Sequence, residues 1–202
     1  MPVVSVVVCR QDACAPRELL THILDRHPST ARLGFGIVSG EMASVEIQKL
    51  QNPDDAEWCA QVMTSSEPWM TLGRSYQQSL RIITDSSREV YLCLVEGAAA
   101  GFVILNMTGA FVGYIQTICI APEYRSKGVG SRLLEFAEHR IFKESPNVFI
   151  CVSSFNDRAH RLYERAGYET IGELSDYLVK GHSEILMRKS LGPWKDYQGH
   201  SE

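Results

Sequence analysis

The chain has 202 residues, 45% of them apolar and 22% charged, a composition within the range of soluble globular domains. Its 20 basic and 24 acidic side chains leave a formal charge of −4, so no cationic excess exists to neutralise a nucleic-acid backbone. Collagen-like, coiled-coil and wholly disordered classes are excluded. A chain of this length buries roughly 70% of its unfolded surface and needs no disulfide or metal staple. One domain with extensions is the expected organisation.

Six cysteines stand at 9, 14, 59, 93, 119 and 151, and no two form a C-x-x-C pair. Cys93, Cys119 and Cys151 lie inside apolar runs and are expected to be buried, reduced thiols. The six histidines form no metal-ligand spacing, so no metal site is expected. The N-terminal apolar run, residues 3–9, is too short to span a bilayer and follows no charged segment. A cytoplasmic protein with no membrane partner is therefore expected.

In chain order, residues 1–44 are weakly patterned, and a packed extension and a mobile leader both remain open. Residues 45–50 read as a strand. Asn52-Pro53-Asp54-Asp55 then combines an N-cap, a first-position proline and first-turn acids, which predicts a helix to about Thr64. Glu67-Pro68-Trp69 interrupts it. A second helix is predicted over 74–83, with Tyr76, Leu80 and Ile83 on one face. Strands are predicted over 90–95, 101–107 and 111–120, the first two joined by a hairpin at Glu96-Gly97-Ala98. A glycine-bearing loop, 122–130, leads into a helix over 131–142 with Leu133, Leu134, Ala137 and Ile141 on its apolar face. A strand over 148–152, a helix over 156–166 closed by Gly167, and strands over 168–171 and 185–187 complete the pattern. The tail from Gly192 is polar and reads as loose. The fold class is α/β (α+β): a mixed central sheet of about six to seven strands flanked by about four helices. The domain boundaries are an extension at 1–44, a domain at 45–190 and a tail at 191–202.

The strand, glycine loop and helix between Tyr114 and Phe142 carry the chemistry. A helix N-terminus offers unpaired N–H groups and a partial positive charge, and glycines let an anion approach them. No G-x-x-x-x-G-K-[ST] string occurs, so a P-loop is excluded. A dinucleotide fingerprint is excluded because Leu133 stands where a third glycine belongs and no early βαβ unit precedes it. What remains is R-x-x-G-x-G, formed by Arg125, Gly128 and Gly130.

This motif, followed by the Asn156-to-Tyr168 segment in the pattern N-x-x-A-x-x-L-Y-x-x-x-G-Y, resembles the GNAT acetyltransferase superfamily over about residues 45–188. The resemblance implies a GNAT-like acetyltransferase fold and an N-acetyltransferase that uses acetyl-CoA as co-substrate. It implies that the backbone of Ile118, Cys119 and Ile120 holds the pantetheine arm. N–H groups of Arg125, Ser126, Lys127, Gly128, Val129, Gly130 and Ser131 would hold the diphosphate. Asn156 would contact a pantetheine amide, and Tyr163 would set its phenol beside the thioester sulfur. An amine would attack the thioester directly, with the N–H of Cys119 or of a neighbouring strand residue stabilising the oxyanion and the phenol protonating the thiolate.

The general base departs from the family patterns. Tyr114, Gln116 and Cys151 stand at three places where subgroups carry a glutamate, and residues 111–120 hold no carboxylate. Glu67 is a candidate base or a surface charge. Trp69 lines the acceptor pocket or covers the core, and His182 is a turn residue or a pocket residue. Two alternatives stay open: a regulatory module that binds acyl-CoA without turnover, and a transferase with a different acyl donor. The amine acceptor is not specified, and both a monomer and a homodimer are compatible with the sequence.

Overall fold

A computed structural model describes residues 44–199. The expectations for residues 1–43, including the early strand, the early helix, Cys9 and Cys14, lie outside the described residues. Seven strands and four helices follow one another as β1 (Val45–Lys49), α1 (Pro53–Thr64), α2 (Tyr76–Ile83), β2 (Glu89–Val95), β3 (Ala98–Asn106), β4 (Tyr114–Ile120), α3 (Val129–Phe142), β5 (Asn147–Ser153), α4 (Asp157–Arg165), β6 (Glu169–Ser175) and β7 (Ser183–Ser190). They build one open sheet in the order β1-β2-β3-β4-β5-β7-β6. All neighbours run antiparallel except β4 and β5. This is the mixed sheet that the interleaved pattern predicts. No helix among the described residues is long and apolar enough to cross a membrane.

Local chemistry sets the boundaries. Asn52 caps α1, its side chain accepting from the Asp54 N–H at 3.0 Å. The second helix starts at Tyr76 rather than Arg74, because Ser75 and Gln78 form a reciprocal capping box there. The first hairpin is tighter than expected. Glu96 and Gly97 both take positive φ (52° and 79°), a two-residue turn matched to strand twist, so β3 begins at Ala98 rather than Gly101. The next strand starts three residues later than the apolar run, at Tyr114. Gly113 ahead of it has φ +86°, and a Cβ there would lie 2.5 Å from the Asn147 carbonyl. That close approach fixes where β4 meets β5.

Two apolar layers cover the sheet. Leu133, Leu134, Ala137 and Ile141 of α3 pack with Ile115, Ile118, Val148, Ile150, Val152 and Tyr163 on one face. Cys59 and Met63 of α1, with Trp69 and Ile83, pack on Leu92, Phe102, Ile104 and Cys119 on the other. Cys93, Cys119 and Cys151 are buried and in no disulfide, as expected, and the same holds for Cys59. The start of the tail is not loose. The Leu191 N–H donates to the Pro146 carbonyl at 2.9 Å, and the Tyr197 hydroxyl donates to the Phe142 carbonyl. These bonds hold residues 191–197 against the end of α3.

Candidate active site

The parallel strands β4 and β5 pair only at Tyr114 with Phe149 and Ile115 with Ile150, then diverge. Beyond that point β4 keeps its bonds to β3, and β5 keeps its bonds to β7. The Ala121 N–H donates to the Ala100 carbonyl at 2.9 Å. By two-residue alternation the Cys119 backbone also faces β3, while Ile118 and Ile120 turn their N–H and C=O groups to the divergent side. The Cys119 N–H is thus engaged within the sheet, and the oxyanion donors on offer are the neighbouring Ile118 and Ile120 N–H groups. A strand edge of this kind accepts an extended amide chain as an added strand.

The divergence leads to the glycine loop. The Arg125 N–H is already engaged, donating to the Pro122 carbonyl at 3.3 Å. The Arg125 side chain fastens the loop instead: Nε donates to the Ile120 carbonyl at 2.9 Å and Nη2 to Ser66 Oγ at 3.1 Å. Ser126 and Gly128 take left-handed φ of 62° and 84°, which turns the chain into α3. That helix starts two residues earlier than expected and has no side-chain cap; its first internal bond runs from the Arg132 N–H to the Gly128 carbonyl. The N–H groups of Val129, Gly130 and Ser131 are therefore first-turn donors at the positive end of a helix of 14 residues. Arg158, not singled out in the sequence, donates to Ser126 Oγ at 2.7 Å and adds a cation beside the loop. Its signal was its place two residues into the Asn156 segment.

Asn156 caps α4, its Oδ1 accepting from the Ala159 N–H at 3.2 Å. This bond orients the amide and leaves its NH₂ as the donor for a ligand carbonyl. Seven residues on, Tyr163 is fully buried, and its hydroxyl has no hydrogen-bond partner. Burial pushes its pKa up, so the phenol keeps its proton at neutral pH. Its ring lies 5.8 Å from that of Tyr168.

On the opposite face of β4 and β5 lie the residues at the three vacated glutamate places. The Tyr114 hydroxyl sits against the Cys151 thiol. Burial pushes the Cys151 thiol up to about 12, with Tyr114 opposing the shift. Burial also raises the Tyr114 phenol, and Cys151 and Glu184 raise it further. A buried carboxylate stands on β7. Glu184 pairs across from Ser153 of β5 and is 2% exposed. One of its oxygens accepts from Ser153 Oγ at 2.6 Å, and the other has no partner. Burial raises its pKa to about 7, with the Ser153 bond acting the other way. The apolar pattern starts the last strand at Ile185 and places Glu184 in the preceding turn; the strand in fact begins at Ser183.

The other acceptor-side candidates resolve by their contacts. A Glu67 carboxylate oxygen accepts from the Thr71 N–H at 3.1 Å and so organises the turn after α1. Trp69 is fully buried in the α1 and α2 layer. His182 sits in the turn before β7 and packs edge-on to Phe155 at 4.9 Å. No cluster of metal-ligating side chains occurs among the described residues.

The sequence profile of the Acetyltransferase (GNAT) family matches residues 49–168. The chain belongs to that family. It is 33% identical over 94 residues to the N-alpha-acetyltransferase RimI of Mycobacterium tuberculosis, covering 46% of this chain and 58% of that protein. It is 30% identical over 148 residues to an uncharacterised protein of Mycobacterium leprae, covering 68% of this chain and 38% of that protein. The matches thus span well under two thirds of either relative. The crystal structure of an aminoglycoside 6'-N-acetyltransferase complexed with coenzyme A superposes with a TM-score of 0.61 over 73% of this chain and 98% of the other. At 15% identity that likeness shows the fold.

Proposed function

We propose that the protein transfers an acetyl group from acetyl-CoA to a primary amine by direct attack in a ternary complex, with residues 45–190 as the catalytic domain. The observation that carries this reading is the divergent edge of β4, with the Ile118 backbone and the Ile120 N–H turned outward, followed in the chain by the uncapped start of α3. An extended amide chain on the strand edge would deliver a diphosphate to the Val129, Gly130 and Ser131 N–H groups. The partnerless Tyr163 hydroxyl and the oriented Asn156 amide supply the two further donors such a ligand needs. Direct attack fits the thiols. Cys151, held protonated up to about 12, is a poor nucleophile for an acyl-enzyme.

Two measurements test the reading. Saturating acetyl-CoA should stabilise the folded chain by mass action, about 2.7 kcal/mol at a hundredfold excess over Kd. That corresponds to roughly 5–10 °C in melting temperature. NAD and ATP should leave it within about a degree. A shift with NAD and none with acetyl-CoA overturns the assignment. Release of free CoA thiol across a panel of primary amines then separates a transferase from a module that binds without turnover.

Gly128→Asp tests the loop. A Cβ at Gly128 meets nothing within 4 Å, so the substitution costs only the backbone strain of a non-glycine residue at φ +84°, which aspartate tolerates better than most, and the fold should survive it. The new carboxylate would stand beside the diphosphate donors, and acetyl-CoA affinity by calorimetry should fall roughly tenfold or more. Unchanged affinity on a folded variant removes the loop from the binding site.

A further inference from the structure

We propose that Glu184 is the general base of this site and takes the proton of the acceptor amine on its partnerless carboxylate oxygen. The proposal rests on the acetyl-transfer reading and supplies the group that β4 and β5 lack. Glu184 is the one buried carboxylate residue among the described residues. No cation pairs with it there. A buried carboxylate with one satisfied oxygen and no counter-charge is a costly arrangement for a purely structural residue. Ile185 and Met187 pack with the α3 layer, so alternation along β7 turns Glu184 to the face shared with Tyr114, Cys151 and Ser153. Cys151 follows Ile150, the last β5 residue paired with β4, and Ser153 stands two residues further along the same strand. Glu184 lies directly across from Ser153. The carboxylate is thus displaced by one strand from the place where Cys151 stands, within the same patch.

Its titration suits the task. A base that works near neutral pH needs a pKa near neutral, and burial provides that shift here. The groups that interact with it are Ser153 and Cys151 from β5 and Tyr114 from β4; Tyr177 of the β6–β7 turn acts on Tyr114, and His182, two residues before Glu184, packs on Phe155. Cys151 and Tyr114 stay protonated at neutral pH. An ammonium acceptor loses two protons as its nitrogen bonds to the acetyl carbon and the C–S bond breaks. One goes to Glu184 and on to solvent. The other restores to Tyr163 the proton it gives the leaving thiolate.

The test is a pH profile of kcat/KM for the wild type, Glu184→Gln, Ser153→Ala and His182→Gln, with acetyl-CoA affinity measured for each. The wild-type rate should rise through an acidic limb near pH 7, below the deprotonation of a free amine. Glu184→Gln should lose that limb and about 10²- to 10³-fold in kcat, with acetyl-CoA affinity unchanged. Ser153→Ala removes a donor to the charged carboxylate and should move the limb to higher pH. His182→Gln should leave the limb in place. Glu184→Gln with wild-type turnover and limb overturns the proposal; so does an unmoved limb in Ser153→Ala, which decides the matter should Glu184→Gln fail to fold. A wild type that binds acetyl-CoA yet releases no thiol with any amine overturns the transferase reading itself.

Discussion

Tyr163→Phe is expected to lower turnover by roughly 10²-fold while leaving acetyl-CoA affinity within about twofold, the pattern of a lost proton donor rather than a lost binding contact. The substitution keeps the ring, which packs in the α3 layer, and removes only the hydroxyl. In the free protein that hydroxyl is buried without a partner. Such a group costs about 1–3 kcal/mol by mutational measures, so the variant should melt at the same temperature as the wild type or above it. A structural tyrosine would show the reverse: a lower melting temperature, with activity falling in proportion. Turnover equal to wild type at saturating amine, with chemistry rate-limiting, would refute the assignment. A donor whose thiol is a better leaving group should narrow the gap between the two proteins, because less protonation is needed in the transition state.

The parts of the fold that were legible in sequence are those written in local chemistry. Asn52-Pro53 and the acids after it specify the start of α1, and the Leu133-to-Ile141 spacing specifies the buried face of α3. R-x-x-G-x-G was readable as a motif, and the left-handed φ of Gly128 gives one of its positions a local reason. What sequence did not reveal depends on partners distant along the chain. Nothing around Arg125 indicates that its side chain bonds Ser66, which is 59 residues away. The docking of Tyr197 on the Phe142 carbonyl is hidden in the same way. Glu184 was missed for a different reason. A glutamate next to Ser183 and His182 looks like a turn residue until β7 is seen to begin at Ser183 and Ser153 is found across from it, 31 residues earlier. The absence of a glutamate at 114, 116 and 151 can be read in the sequence; the β5–β7 register that sets Glu184 across from Ser153 cannot.

Glu184→Gln should also stabilise the protein, and the gain should depend on pH in a defined direction. The unfolded glutamate titrates near 4.3, and the folded one near 7. Below about pH 4 the carboxyl is neutral in both states, so wild type and variant should be equally stable. As pH rises from there, the unfolded chain releases its proton before the folded chain does, and wild-type stability falls. Above the folded pKa the loss is complete, on the order of 3 kcal/mol at 1.36 kcal/mol per unit. Glutamine cannot ionise and keeps the Ser153 hydroxyl satisfied through its carbonyl oxygen, so it escapes that loss. At pH 8 the variant should therefore melt roughly 5–10 °C above the wild type, and at pH 4 the two curves should coincide. A glutamate kept for structure alone would give the opposite result at pH 8, a variant less stable than wild type. A variant more stable than wild type at pH 8 and equal to it at pH 4 is the result expected of a carboxylate kept for proton transfer and not for packing.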